Sequence, residues 1–242
     1  MCFFHIGIDG FSRLIVYLRC SNNNRAQTVL QYFHQAVTML ELPSRVRCDY
    51  GVENVDVGMY MLRNRGTGRG SVITGSSVHN QRVERMWRDV RRIVIRNYQN
   101  LFHYMEDAHL LDSLNEIHLV ALHHVFMPRI NRALDEFMAQ HNNHPLRTEQ
   151  NHSPRQLFYF PELCGYDVPF HGSSSIDVVT YGIDEEAPVP SNVEDGVVVV
   201  PPFRVHLSNY QLSMLNLTIP PLQEDDNFGI NLYLLARDFL SQ

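Results

Sequence analysis

Lysine is absent from the 242-residue chain, so all 20 of its basic residues are Arg. Arg without Lys favours bidentate contact with phosphate over diffuse positive charge, although codon bias produces the same excess and the observation carries little alone. Cysteine is scarce. Cys2, Cys20, Cys48 and Cys164 form no C-x-x-C pair, which argues against a disulfide framework or a zinc knuckle and fits free thiols in a reducing compartment. Cys48 reads as a small buried filler on a strand. No apolar run reaches the roughly 18 residues of a membrane span. No basic stretch followed by an apolar run and a cleavage site opens the chain, so no secretory leader is expected. Gly66–Gly70 is glycine-rich but lacks the Gly-Lys-Ser/Thr ending of a phosphate loop. His118, His123 and His124 share a helical stretch without the i,i+4 pairing of a zinc helix, and structural or surface roles are expected of them.

What is present is unevenly distributed. The apolar fraction of 44% supports a real core, and the length suits one large or two small domains. Residues 1–160 hold 18 Arg against 14 acids, whereas residues 161–242 hold 2 Arg against 12 acids. The first part is suited to face a polyanion; the second would be repelled by one. The runs Asp184-Glu185-Glu186 and Glu224-Asp225-Asp226 read as solvated loops.

Phe3–Ile8 and Arg13–Arg19 are β-prone and joined by the turn Asp9-Gly10-Phe11-Ser12, which predicts a hairpin. Ala26–Leu40 has a helical period and is closed by Pro43. Arg45–Cys48 predicts a short strand ending at Asp49, Val55–Arg63 a short helix and Ser71–Thr74 a strand. A long helix is expected from about Asn80 to Tyr98, then two more over Glu116–Phe126 and Arg129–His141. His144–Pro154 reads as a loop. Beyond residue 160, short β-prone pieces at Ile176–Tyr181 and Val197–Val200 alternate with Pro and acidic runs, and Leu232–Leu240 is a candidate terminal helix.

On a helical projection of the long helix, Val83, Met86, Trp87, Val90, Ile93 and Val94 share one apolar arc. Arg85, Arg88, Arg92 and Arg96 lie opposite, and Glu84 sits on the border, one turn into the helix. An ordinary charged surface helix is the plain alternative; with Arg91 added, though, five Arg against one Asp leave self-pairing incomplete, which points to a phosphate partner. Asp49 lies where a buried strand opens into a loop, a common place for a site in α/β proteins and also for a turn or capping Asp. Asp49 and Glu84 are 35 positions apart, separated by a helix and a strand that can return the chain so that the two carboxylates converge. Such a pair suits a hard divalent cation in phosphoryl transfer.

The segment Arg47-Cys48-Asp49-Tyr50-Gly51-Val52-Glu53-Asn54 resembles the S-D-x-G-x-E-[NF] motif around the second acid of retroviral-type integrases. His79-Asn80-Gln81-Arg82-Val83-Glu84-Arg85-Met86-Trp87 resembles the block around their third acid. Asp9-Gly10-Phe11-Ser12-Arg13 is similar to their D-x-F-S-R hairpin turn. His144-Pro145-Leu146-Arg147 with Ser153-Pro154-Arg155-Gln156-Leu157 is similar to the block after the core. The resemblance is to integrase-core proteins of the DDE transposase superfamily, nearest to those of animal genomes that derive from mobile elements. It implies an RNase H-like α/β fold for residues 1–160, a mixed sheet flanked by helices, followed by an acidic, irregular extension over 161–242. It also implies Mg²⁺ or Mn²⁺ held by Asp49 and Glu84, and strand transfer at DNA phosphodiesters. DNA is the expected partner, with Arg85, Arg88, Arg92, Arg96, Asn80 and Gln81 as contacts; capping is the plainer role for Asn80.

The resemblance also predicts a departure. The family's turn joins its second and third strands, so Phe3–Ile8 and Arg13–Arg19 correspond to those, and the first strand with the first catalytic Asp is lacking. Asp9 is a substitute candidate, but an Asp at a hairpin turn usually bonds nearby backbone N–H groups. A foreign strand inserting in the gap, with Val197–Val200 as one candidate, would restore ladder partners. Two readings follow: a weak or inactive descendant of a polynucleotidyl transferase, or a domesticated non-catalytic adaptor that binds DNA or protein. A homo-oligomer, a protein partner for the acidic region and a nuclear or cytoplasmic location are further expectations.

Overall fold

The computed structural model describes residues 2–75, 81–166 and 207–241. The hairpin forms as predicted, with β1 at Phe3–Ile8 antiparallel to β2 at Ile15–Ser21. The register sets Phe4 opposite Cys20 and Ile6 opposite Leu18 on one face, and Gly7 opposite Tyr17 on the other. Because side chains alternate along a strand, the two faces feed two cores. Leu18 and Cys20 belong to the larger one, with Phe4, Ile6 and Ile8 packed against it. Tyr17 packs against the smaller. Its ring lies over Gly7, where a Cβ would come within 2.4 Å of it. Arg13 belongs to the turn rather than to β2. Its φ of 65° is uncommon for a side-chain-bearing residue.

α1 (Ala26–Leu40) and α2 (Val55–Arg65) cover the Tyr17 face through Val29, Phe33, Val57 and Met61. Between them runs β3 (Val46–Cys48), which pairs in parallel with β4 (Val72–Thr74). The mixed α/β class is therefore seen, but its strands form two two-stranded sheets among the described residues instead of one continuous sheet. A cleft of about 530 Å³ lies between β1 and β3.

α3 (Gln81–Val90) continues through a π-helical segment at Arg91–Ile95 into α4 (Arg96–Asp107), so the helix expected to end near Tyr98 runs nine residues further. Met86, Val90 and Val94 enter the larger core as the projection predicts, and Trp87 packs against it. Ile93 does not: it is 47% exposed. It stood at the margin of the apolar arc, and the π segment changes the helical phase there. The two helices expected over 116–141 are one, α5 (Glu116–Asn143), which runs through Pro128. Burial of Val125, Phe126, Ile130 and Leu134 on both sides of the proline holds it together against the usual helix-breaking tendency. The predicted loop 144–154 leads into α6 (Pro154–Tyr159), which opens with a Ser153/Gln156 capping box.

α5 also closes one edge of the hairpin. Asn142 accepts from the Ile15 N–H (2.9 Å) and donates to the Ile15 carbonyl (3.0 Å). Asn131 does the same at Cys20, at 2.9 and 3.0 Å. Eleven residues of helix and five of strand both span about 16.5 Å, so two side chains stand in for a neighbouring strand.

Beyond residue 160 the structure describes α7 (Asn209–Thr218) and α8 (Ile230–Leu240); the terminal helix was expected and α7 was not. Leu215, Ile219, Ile230, Tyr233 and Ala236 belong to the same core as α5 and β2. The pieces Ile176–Tyr181 and Val197–Val200 and the run Asp184-Glu185-Glu186 lie outside the described residues. No helix among the described residues is long and apolar enough to cross a membrane.

Candidate metal centre and nucleic-acid interface

Asp49 follows the last residue of β3, and a 3-10 turn at Val52–Asn54 comes directly after it. That turn aims Asn54 back at the carboxylate: Asn54 Nδ2 donates to Asp49 Oδ1 at 2.7 Å, and the Gly51 N–H approaches the same oxygen at 3.3 Å. Asn54 belongs to the motif read in the sequence, but its role as the group that orients Asp49 was visible only in the structure. Neighbouring Cys48 is half-buried, and its thiol is pushed up to about 11 by burial and by the charges of Asp49 and Glu53. That shift disfavours the thiolate, the nucleophilic form, at neutral pH.

Glu84 lies in the first turn of α3 and is half-buried. Burial raises its pKa above the usual carboxylate value, the charge of Asp49 raises it further, and Arg91 opposes both. A helix N-terminus favours a negative charge; here burial and repulsion prevail. Glu84, 35 positions further along the sequence, thus lies near enough to Asp49 to feel its charge. Two carboxylates that repel one another at the end of a short strand fit a hard divalent cation, which would relieve the repulsion. Among the described residues no group of three or more His, Cys, Asp or Glu could hold a metal ion.

Asp9 is engaged in its own turn through one carboxylate oxygen. Its Oδ2 accepts from the Phe11 N–H (3.1 Å), the Ser12 N–H (2.7 Å) and the Ser12 hydroxyl (2.7 Å). Asp9 and Asp49 do line the same cleft, together with Arg45, Arg47 and Arg82, three cations that sequence reasoning did not single out. Only knowledge of which segments face each other would have found them.

Arg85, Arg88, Arg92 and Arg96 are all exposed on the side of the long helix away from Met86 and Val90. Of these, Arg92 pairs with Asp89 at 3.3 Å. Asn80 and the side chain of Gln81 lie outside the described residues. The hairpin turn and the block after the core, remote in sequence, meet in space. Arg13 pairs with Glu149 at 2.8 Å, Tyr166 donates to Glu149 at 2.6 Å, and Phe11 stacks edge-on against Tyr166. Among the described histidines, His5 bonds Ser21 at 2.9 Å, and His124 bonds the Ile219 carbonyl at 2.8 Å.

In a comparison with protein families, the integrase core domain matches residues 2–164. No curated protein and no solved structure matches the chain.

Proposed function

The chain belongs to the integrase core domain family, and from that premise we propose that it is a DNA-binding descendant of a metal-dependent polynucleotidyl transferase with little or no strand-transfer activity of its own. Proteins of this family generally use divalent metals, and the proposal assigns Mg²⁺ or Mn²⁺ to Asp49 and Glu84. The observation that carries it is the integrase-core match over residues 2–164, within which Asp49 comes just after β3 and Glu84 in the first turn of α3; the Asp49 charge felt by half-buried Glu84 supports it. When bound, the cation supplies charge neutralisation at a phosphodiester. Asn54 holds Asp49 in place for it, and the exposed face of Arg85, Arg88, Arg92 and Arg96 holds the backbone with little sequence reading. The weak-catalysis part rests on the two-acid donor set and on the engagement of Asp9 in its own turn. The same two observations favour the second reading, a non-catalytic adaptor that retains DNA or protein binding.

Binding of a fluorescein-labelled duplex, followed by anisotropy from about 50 to 200 mM salt, tests the DNA reading. The slope of log affinity against log salt should become shallower by up to about 3.6 when Arg85, Arg88, Arg92 and Arg96 are all replaced by Gln. Absence of binding at low salt sinks it. Incubation of supercoiled plasmid with the protein and Mn²⁺ tests the catalytic part: no nicking is expected, and robust nicking abolished by Glu84→Gln would overturn the assignment.

A further inference from the structure

On the hairpin face that meets α5, two thiols and an imidazole come together. Phe4 stands opposite Cys20 in the β1–β2 register. Alternate residues of an extended chain share a face, so Cys2, two positions before Phe4, faces the same way as Cys20. Both belong with the larger core: Cys20 is buried within it, and half-buried Cys2 packs against it. The two thiols are hydrogen-bonded to one another, and buried His123 of α5 lies beside Cys2. Hydrogen bonding by Cys20, then by His123, together with the His123 charge, holds the Cys2 thiol below its ordinary range, although burial opposes them. The same contact with Cys2, with burial, pushes the Cys20 thiol up. Charge thus falls on the more exposed sulfur and the proton stays on the buried one. Cys48 and Cys164 lack this arrangement: the first is pushed up by burial and neighbouring acids, and the second is buried. An ionised, accessible thiol backed by a second thiol in contact is what a redox pair requires, whereas a buried isolated thiol is inert. Among the described residues no three such groups could hold a metal ion, so the contact favours redox chemistry over a ligand set.

We propose that Cys2 and Cys20 form a peroxide-responsive thiol pair, with Cys2 as the attacking sulfur and Cys20 as the resolving one. The half-buried position of Cys2 admits an oxidant as small as hydrogen peroxide. The Cys2 sulfur attacks one peroxide oxygen, an S–O bond forms and the O–O bond breaks. The departing hydroxide takes up the proton that Cys2 had released and leaves as water. The Cys20 sulfur then attacks the Cys2 sulfur. The S–S bond forms, the S–O bond breaks, and the leaving hydroxide carries off the Cys20 proton as a second water. Two thiols and one peroxide give one disulfide and two waters, with two electrons passing from sulfur to oxygen. The bridge ties the residue ahead of β1 to the end of β2. Asn131 already clips the Cys20 N–H and carbonyl to α5, so hairpin and helix are joined at one point. Neither a cation nor DNA takes part in this step.

Treatment of the reduced full chain with equimolar hydrogen peroxide tests it. Free thiols should fall from four to two, the mass should fall by two hydrogens, and a non-reducing peptide map should link Cys2 to Cys20. Dithiothreitol should restore all four thiols. Before oxidation, iodoacetamide should alkylate Cys2 about tenfold or more faster than Cys48 or Cys164 at neutral pH. These measurements need no variant. Cys20→Ser should stop the reaction at a dimedone-reactive sulfenic acid on Cys2, and Cys2→Ser should leave Cys20 reduced. Several outcomes overturn the proposal: four thiols remaining after peroxide, first oxidation at Cys48 or Cys164, or a bridge between any other pair. A Cys2–Cys2 link between two chains would assign that thiol to an interface between copies. Protection of both thiols by one equivalent of Zn²⁺ would assign them, with His123, to a soft metal; either result overturns the redox pair as well.

Discussion

Burial and the charge of Asp49 both favour a proton on Glu84, and Arg91 opposes them. Because the folded-state pKa is raised above the unfolded value, protonated Glu84 contributes stability that is fully present below the unfolded pKa. That stability is lost as pH rises through the raised folded value. The melting temperature of the wild type relative to Glu84→Gln should therefore fall with rising pH across this window above the ordinary carboxylate range. A thermal-melt series from about pH 4 to pH 8 measures it, and a flat difference would mean that Glu84 is not held against Asp49. On the proposed metal reading, a divalent cation takes the place of that proton. Millimolar Mg²⁺ or Mn²⁺ at neutral pH should raise the melting temperature of the wild type and leave Glu84→Gln and Asp49→Asn unmoved. Both acids are candidates that the sequence offers through motif resemblance and spacing. The role of Asn54 was not legible there, because the turn that aims it is set by local backbone geometry.

Among the elements, α5 shows how a helix can finish a sheet. Asn142 is 6% exposed and fills both hydrogen-bonding positions of Ile15, itself 2% exposed. Replacing it by Ala strands a buried N–H and a buried carbonyl, so Asn142→Ala should cost about 1–3 kcal/mol in urea unfolding. A smaller loss than Asn143→Ala, whose side chain bonds only its own helix at Ala139, would contradict the edge-capping role. Strand and helix periods were readable from β1 to α1 with boundaries at Phe3–Ile8 and Ala26–Leu40. The joins were less so. Pro128 argues for a break that tertiary burial overrides, and the π segment at Arg91–Ile95 has no signature in a pattern read at a fixed 100° per residue.

Across the molecule, the larger core draws on β2, the long Arg-bearing helix, α5, α7 and α8. Tyr233 of α8 is fully buried, and its hydroxyl reaches the Leu110 carbonyl at 3.2 Å and His118 Nδ1 at 3.1 Å. Gly229, with φ of 96°, lets the chain enter α8 against Phe126. If this packing is integral, Tyr233→Ala should destabilise the whole fold by about 3–5 kcal/mol. Trp87, the one tryptophan in the chain, lies on a different element and packs on the same core. Its fluorescence in denaturant should report that loss as a shifted midpoint, and an unchanged Trp87 transition would mean that residues 207–241 unfold independently. The charge asymmetry at residue 160 did not show this packing, since charge counts describe surfaces while the core is made by Leu215, Ile230 and Tyr233.

The sequence by itself carried the hairpin and the outward Arg face, which depend on local periodicity, the family, through the resemblance of its contiguous motifs, and Asp49 and Glu84 as candidates. Tertiary structure decided the rest: the Asn clips on β2, the contact of Arg13 with Glu149, the docking of α7 and α8, and the cleft between β1 and β3. Those features join residues tens to more than a hundred positions apart, and no local pattern records which segments meet. Asp49, one of the two acids named by the sequence, lines the cleft between β1 and β3, which only the packing of two half-sheets reveals.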